Sequence, residues 1–259
     1  MALPTNKEKV IEAFEIFDKS IYFEFLEPPS NLNATVLMRA TYRNTHPLTK
    51  LGKNHPQAPP YHLHFSQSES FVVLSGRIGT TLGFECKDHI WTRANTIDTG
   101  KAHEIKPWVP HTFWPVPPQH PASTPGEDKA SQEDAVLLVW AHPQVSGNLV
   151  DGGADMDYIF FRALIMMASD MYDGKLAKNF GMGMVGALGA ILSLQEASDS
   201  APVAVSGPMW LSEVRYWVPW KLQQVVAWLW RASGGRRDGL IQHYVPEKVW
   251  LMLQEKKDS

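Results

Sequence analysis

Cysteine is nearly absent: Cys86 is the one thiol in 259 residues, which excludes an intramolecular disulfide and any Cys-rich metal site. Its neighbours Glu85 and Asp88 disfavour a thiolate, so a buried or inert side chain is expected. Charge of one sign is missing too. Twenty-four Lys plus Arg stand against 27 Asp plus Glu, a net charge of -3, and no field of the kind that attracts nucleic acid follows from it. No apolar run reaches the roughly 20 residues that a membrane-spanning helix needs; the stretch 180–194 is too short and reads as a buried helix. The N-terminus alternates charged and apolar residues, unlike a secretory signal, and a cytoplasmic location is the default expectation. Neither internal repeats nor coiled-coil heptads are visible. What is present is a chain 44% hydrophobic and 20% charged, enough apolar mass for a sizeable core.

Residues 6–18 carry Val10, Ile11, Phe14 and Phe17 at helical spacing, which predicts an amphipathic helix in an N-terminal arm over 1–33. From 34 to 150 the pattern changes. ATVLMRATYRN, FVVLSGRIGTTLGFE, KAHEIKPW and EDAVLLVWAH are short Val-, Leu-, Thr- and aromatic-rich runs separated by Pro, Gly, Asn and Asp. They predict a mainly β domain, a sandwich or barrel. Residues 115–134 are too rich in Pro, Ser and charge to form an element and read as a long surface loop.

Residues 151–259 form a helical C-terminal extension, its first helix broken near Gly174. Gly181, Gly183, Gly186 and Gly189 either permit close helix packing or weaken the helix that contains them. Trp210, Trp217, Trp220, Trp228 and Trp230 lie among Arg215, Lys221, Arg231, Arg236 and Arg237. Two readings fit this region: packing onto the β-core or a partner subunit, or peripheral membrane contact at lipid headgroups. Lys256 and Lys257 near the C-terminus match a dilysine retrieval signal of the endoplasmic reticulum membrane, or are a solvated tail.

The stretch YHLHFSQSESFVVLSG, 61–76, carries the chemistry. Side chains alternate along a strand, so His62 and His64 project to one side about 7 Å apart. After a Ser-Gln-Ser turn, Glu69 can face the same point, with Phe71 and Val73 on its face of the strand, and Gly76 closes the hairpin. The second cluster, GKAHEIKPWVPHTFW, supplies His111 beyond a proline-bounded turn, with Phe113 inward beside it. Three histidines and a glutamate suit one divalent ion, Fe, Zn, Ni, Mn or Cu. Glu69 could instead serve as a base beside a three-histidine site. His103 is a candidate pocket acid/base or a structural residue, its face obscured by the proline turn. Tyr42, Phe71, Val73, Phe113 and Trp114 are the candidate pocket wall and point to an apolar or aromatic small-molecule substrate.

The spacing His62-x-His64-x4-Glu69-x6-Gly76 resembles the first motif of the cupin superfamily, and 100–111 resembles the second. Lys106 and Trp108 stand where that family usually has proline and glycine, and Pro115 where an asparagine often lies. The resemblance covers roughly 34–144. It implies a jelly-roll β-barrel with one divalent metal, iron above all, held by His62, His64, Glu69 and His111. It further implies a homodimer and an oxygenase or oxidative tailoring enzyme of dioxygenase type, acting on an aromatic or polyketide-like molecule of fungal-type secondary metabolism. The alternatives are a Lewis-acid isomerase, cyclase or decarboxylase in the same barrel, and a non-catalytic ligand-binding cupin.

Overall fold

The computed structural model describes residues 3–4, 7–117, 133–143, 153–180, 183–197, 200–204 and 212–247. Most of the expected proline-rich loop, Trp210, Gly181 and the Lys256–Lys257 pair lie outside them. Eleven strands are described: β1 (Val10–Ile16), β2 (Ile21–Leu26), β3 (Val36–Tyr42), β4 (His62–His64), β5 (Glu69–Ser75), β6 (Arg77–Leu82), β7 (Lys87–Thr92), β8 (His103–Ile105), β9 (His111–Pro115), β10 (Ala135–Ala141) and β11 (Ser200–Pro202). They form two antiparallel sheets, β1-β2-β3-β10-β5-β8 and β11-β4-β9-β6-β7, so the chain is mainly β, as its patterning predicts. The inward faces meet in a core that includes Phe23, Phe25, Met38, Tyr42, Phe71, Val73, Ile78 and Phe113. Across that core the rings of Phe71 and Phe113 meet edge to face, 5.1 Å apart.

The expected N-terminal helix is not formed. Residues 10–16 are strand β1, paired antiparallel with β2. Helical spacing and strand alternation both fit VIEAFEIF, and the partner decides between them: β2 offers Phe23 and Phe25 as a surface on which Phe14 packs, at 5.7 and 6.1 Å. Phe17, Asp18 and Lys19 then take φ of 50°, 54° and 61°, a left-handed reversal incompatible with a helix running to residue 18. Further along the sheet, Glu24 on β2 lies opposite Arg39 on β3. The guanidinium donates to both carboxylate oxygens, at 2.5 and 2.6 Å, so this nearly buried pair is joined in the bidentate geometry that best offsets desolvation.

Gly76, at φ 65°, turns the chain from β5 in one sheet to β6 in the other, so the hairpin expected there is not formed. A Cβ there would come within 2.6 Å of the Ala135 backbone, so both conformation and space require glycine.

After β10 the described residues form five α-helices, with β11 between the third and the fourth: α1 (Gly153–Tyr172), α2 (Lys175–Phe180), α3 (Met184–Ala197), α4 (Ser212–Ala232) and α5 (Arg237–Tyr244). Within them no helix of the described residues is long and apolar enough to cross a membrane. The helix α1 is apolar on two faces. Ile159, Ala163 and Met167 pack with α3 and α5 in a helical core, whereas Phe161, Ile165 and Ala168 pack against the core of the sheets. Arg162 fixes the second contact by donating to both oxygens of Glu12 on β1, at 2.6 Å each, and Tyr158 donates to the same carboxylate at 2.8 Å.

Close packing explains at least one of the helix glycines. A Cβ on Gly189 would meet Trp230 at 2.9 Å, so α3 and α4 approach through that gap. Trp230 is buried there, while Trp217 and Trp228 are 52% and 60% exposed, beside Leu222, Val225 and Leu229 on one side of α4. Pro219 sits inside α4 and cannot donate to the carbonyl of Arg215, four residues back. That carbonyl accepts the Ala204 N–H instead, at 2.8 Å. The Arg215 side chain completes the joint by donating to the Ala204 carbonyl, at 2.9 Å, and to the Phe84 carbonyl, at 2.5 Å.

Candidate metal centre

Three short segments converge at one end of the inter-sheet space. β4 carries His62 and His64 on one face, and its neighbour β9 sets His111 directly opposite His62. Their ring centres lie 4.4 to 5.6 Å apart, and ligand atoms of the three imidazoles all fall within 4.8 Å of one another. Glu69 reaches across from β5 in the other sheet. Its Oε2 is 3.0 Å from His111 Nε2 and its Oε1 is 3.7 Å from His64 Nε2. His64, Glu69 and His111 are all buried.

The backbone fixes how two of these rings present themselves. His62 Nδ1 lies 2.8 Å from the Pro60 carbonyl, and His111 Nδ1 lies 2.9 Å from the Val109 carbonyl. A carbonyl can only accept, so each Nδ1 carries a proton and each Nε2 is turned toward the cluster. For His111 that Nε2 lies 3.0 Å from a Glu69 oxygen, a contact that needs a proton or a metal ion between the two atoms. The residues therefore fit a cation: imidazoles oriented by outer-shell carbonyls and a carboxylate already at hand. Burial, then the charges of His111 and His64, push the His62 pKa well below its ordinary value. Burial would raise Glu69, but the His111 hydrogen bond and the three nearby imidazoles outweigh it and hold the carboxyl at about 2. The carboxylate is thus anionic, and His62 is neutral, as metal ligands must be.

The turn before His111 is tied to β4 by Trp108, whose N–H donates to the His64 carbonyl at 2.8 Å. Trp108 adopts φ 68°, a left-handed conformation that costs about 1–2 kcal/mol for a side chain with a Cβ.

A cavity of about 370 Å³ opens from the cluster. His62, His64 and Glu69 line one end, with Tyr42, Phe113 and Leu137 from the sheets further along. Tyr42 donates to Gln57 Oε1, and burial raises its phenol pKa, an effect that this bond only partly offsets. Behind them, His55 is 2% exposed; its Nδ1 accepts the Gln57 N–H at 3.1 Å and its Nε2 lies 3.1 Å from Ser20 Oγ.

Of the residues singled out from the sequence, His62, His64, Glu69 and His111 are brought together, and Tyr42 and Phe113 line the cavity. Phe71 and Val73 are fully buried in the core without lining it. Trp114 is a correction: it projects from the face of β9 opposite His111 and Phe113, because neighbours on a strand alternate. There it lies over Gly79, where a Cβ would meet its ring at 2.3 Å, with Lys53 above the ring. His103 also lies outside the cavity. It pairs with Phe71 across β5 and β8, its ring is 4.3 Å from Trp91, and burial followed by the charge of His89 lowers its pKa. Phe71 and Phe113 stand between it and the imidazole cluster. The wall residues that sequence reasoning did not supply include Phe17, from the segment expected to be helical, Phe23 on β2, and the apolar faces of α1 and α3.

No model of a known protein family matches the chain. Among curated proteins it is similar to one described as "Probable oxidoreductase virH" from Hypocrea virens, 33% identical over 127 residues. The match covers 49% of this chain and 47% of that protein, so the chain spans about half of its relative's length. Among solved structures it is similar to the capsular polysaccharide assembling protein CapF from Staphylococcus aureus, with 12% identity and a TM-score of 0.33 over 57% of this chain and 33% of that one. It is likewise similar to hydroxypropylphosphonic acid epoxidase from S. wedmorenis, with 15% identity and a TM-score of 0.31 over 54% and 58% of the two chains.

Proposed function

We propose that this chain is a metal-dependent enzyme of cupin type, an oxidoreductase acting on a mostly apolar small molecule, with His62, His64, His111 and Glu69 as the metal ligands. The observation that carries this reading is the convergence of three imidazoles and a carboxylate beside a mostly apolar cavity. A bound divalent metal would supply Lewis acidity and, where redox-active, electron transfer between substrate and dioxygen. The protein's own share is placement. Pro60 and Val109 aim His62 and His111 through their Nδ1 atoms, and Glu69 contributes a fixed negative charge. The surrounding aromatic and aliphatic side chains exclude water and orient an apolar substrate.

The similarity to a probable oxidoreductase favours oxidative over Lewis-acid chemistry. Iron-loaded protein supplied with apolar phenols and enolisable ketones at an oxygen electrode tests the choice. Substrate-dependent oxygen uptake is expected. Equal turnover with and without oxygen would overturn the oxidative reading in favour of isomerisation, cyclisation or decarboxylation.

A further inference from the structure

We infer that the helical extension selects the substrate: α1 and α3 form the wall of the cavity opposite the sheets and the rim of its mouth, and they admit an uncharged, mainly apolar molecule bound with its polar end toward the imidazoles. This inference rests on the function proposed above and adds to it the ligand class and the residues that choose it.

The cavity runs from His62, His64 and Glu69 to Ile165 and Ala168 on α1 and Ile191 on α3. Met171 on α1 and Leu188 on α3 also line it, and they are 43% and 50% exposed, so these helices carry the wall out to solvent. Among the described residues no Lys or Arg lines it; the ionisable groups among them are His62, His64, Glu69 and the phenol of Tyr42. A charge held along this wall would face alkyl and aromatic groups and the neutral amides of Gln57 and Gln195, with no cation among the described residues to offset its desolvation. Size sets a second limit. A cavity of about 150 Å³ holds benzene, and at that ratio the 370 Å³ found here accommodates roughly 15 non-hydrogen atoms.

This wall is held firmly enough to discriminate. Arg162 and Tyr158 anchor α1 to Glu12. One turn beyond Ile165, Ser169 Oγ accepts the Phe17 N–H at 3.2 Å, joining α1 to the β1–β2 turn. The strand β11, which follows α3, pairs with β4 and sets Ser200 opposite His64, so the second wall helix is coupled to the strand that carries two of the imidazoles. Ala168 is the small position on this wall. A larger side chain there would occupy space that the ligand needs without touching the imidazole cluster.

The test is binding of two probes and of a larger neutral phenol to metal-loaded wild-type protein and to Ala168→Phe and Ile191→Ala, with metal content measured on every sample. The two probes are naphthol and a naphthol carrying a sulfonate on the ring away from its hydroxyl. In the wild type, the sulfonated probe is expected to bind at least about ten-fold more weakly. Ala168→Phe should weaken naphthol binding by about ten-fold or more at unchanged metal content. Ile191→Ala, which only removes atoms, should relax the choice between naphthol and a larger neutral phenol. Equal binding of the two probes by the wild type, or unaltered naphthol binding in both variants, would overturn the inference. Chains without metal would overturn the metal reading instead, so the two failures are distinguishable.

Discussion

Replacing His64 by alanine is expected to reduce transition-metal affinity by about 100-fold or more while the chain stays folded. Loss of an outer-shell partner of a metal-bound histidine typically costs about 10- to 100-fold in affinity, and removal of a ligand should exceed that. His64 is the imidazole that faces the Glu69 Oε1 atom, so its loss also opens the gap between the two sheets at the metal position. The fold should survive because the substitution enlarges a cavity that already exists and leaves the aromatic contacts between the sheets in place. Equilibrium dialysis with elemental analysis measures the metal, and circular dichroism measures the fold. Unchanged metal content in a folded His64→Ala protein would contradict the ligand assignment.

The second large effect concerns acid stability. Burial, reinforced by the charge of His46, lowers the His55 pKa from 6.5 to about 4. The unfolded chain therefore takes up this proton at a higher pH than the folded chain does. His55 thus contributes stability that is complete above pH 6.5 and is lost progressively as pH falls toward 4. The shift corresponds to roughly 3 kcal/mol at most, and residual solvent screening brings the expected value nearer 2 kcal/mol. Protonation would also remove the lone pair with which Nδ1 accepts the Gln57 N–H, disturbing the residue that orients Tyr42 at the cavity wall. Denaturant unfolding at pH 7 and pH 4 should show the wild type losing about 2 kcal/mol more than His55→Gln between those values. Parallel losses in the two proteins would show that His55 titrates normally.

How much was legible in the sequence differs between the two sides of the cavity. The imidazole cluster was legible because its geometry is local. Alternation along a strand puts His62 and His64 on one face, and a short link carries the chain across to β5 in the other sheet, where Glu69 faces them. The same parity rule, applied to β9, separates Trp114 from His111 and Phe113, which a search for apolar residues near the second motif does not do. His103 was ambiguous because a turn with prolines at both ends interrupts the count. The N-terminal segment was misread because VIEAFEIF satisfies both periodicities, and its neighbour β2 settles the matter through contacts that no local pattern contains. The helical wall was hidden for a related reason. An apolar stripe on α1 shows that the stripe is buried, but not that one side covers other helices while the other faces a cavity floored by histidines.

X-ray absorption spectroscopy on protein loaded with one equivalent of iron or zinc tests the central claim most directly. The account predicts a single mixed nitrogen and oxygen shell with the scattering signature of three imidazoles. A bound metal with one imidazole or none, or a protein that retains no metal after dialysis, would contradict it.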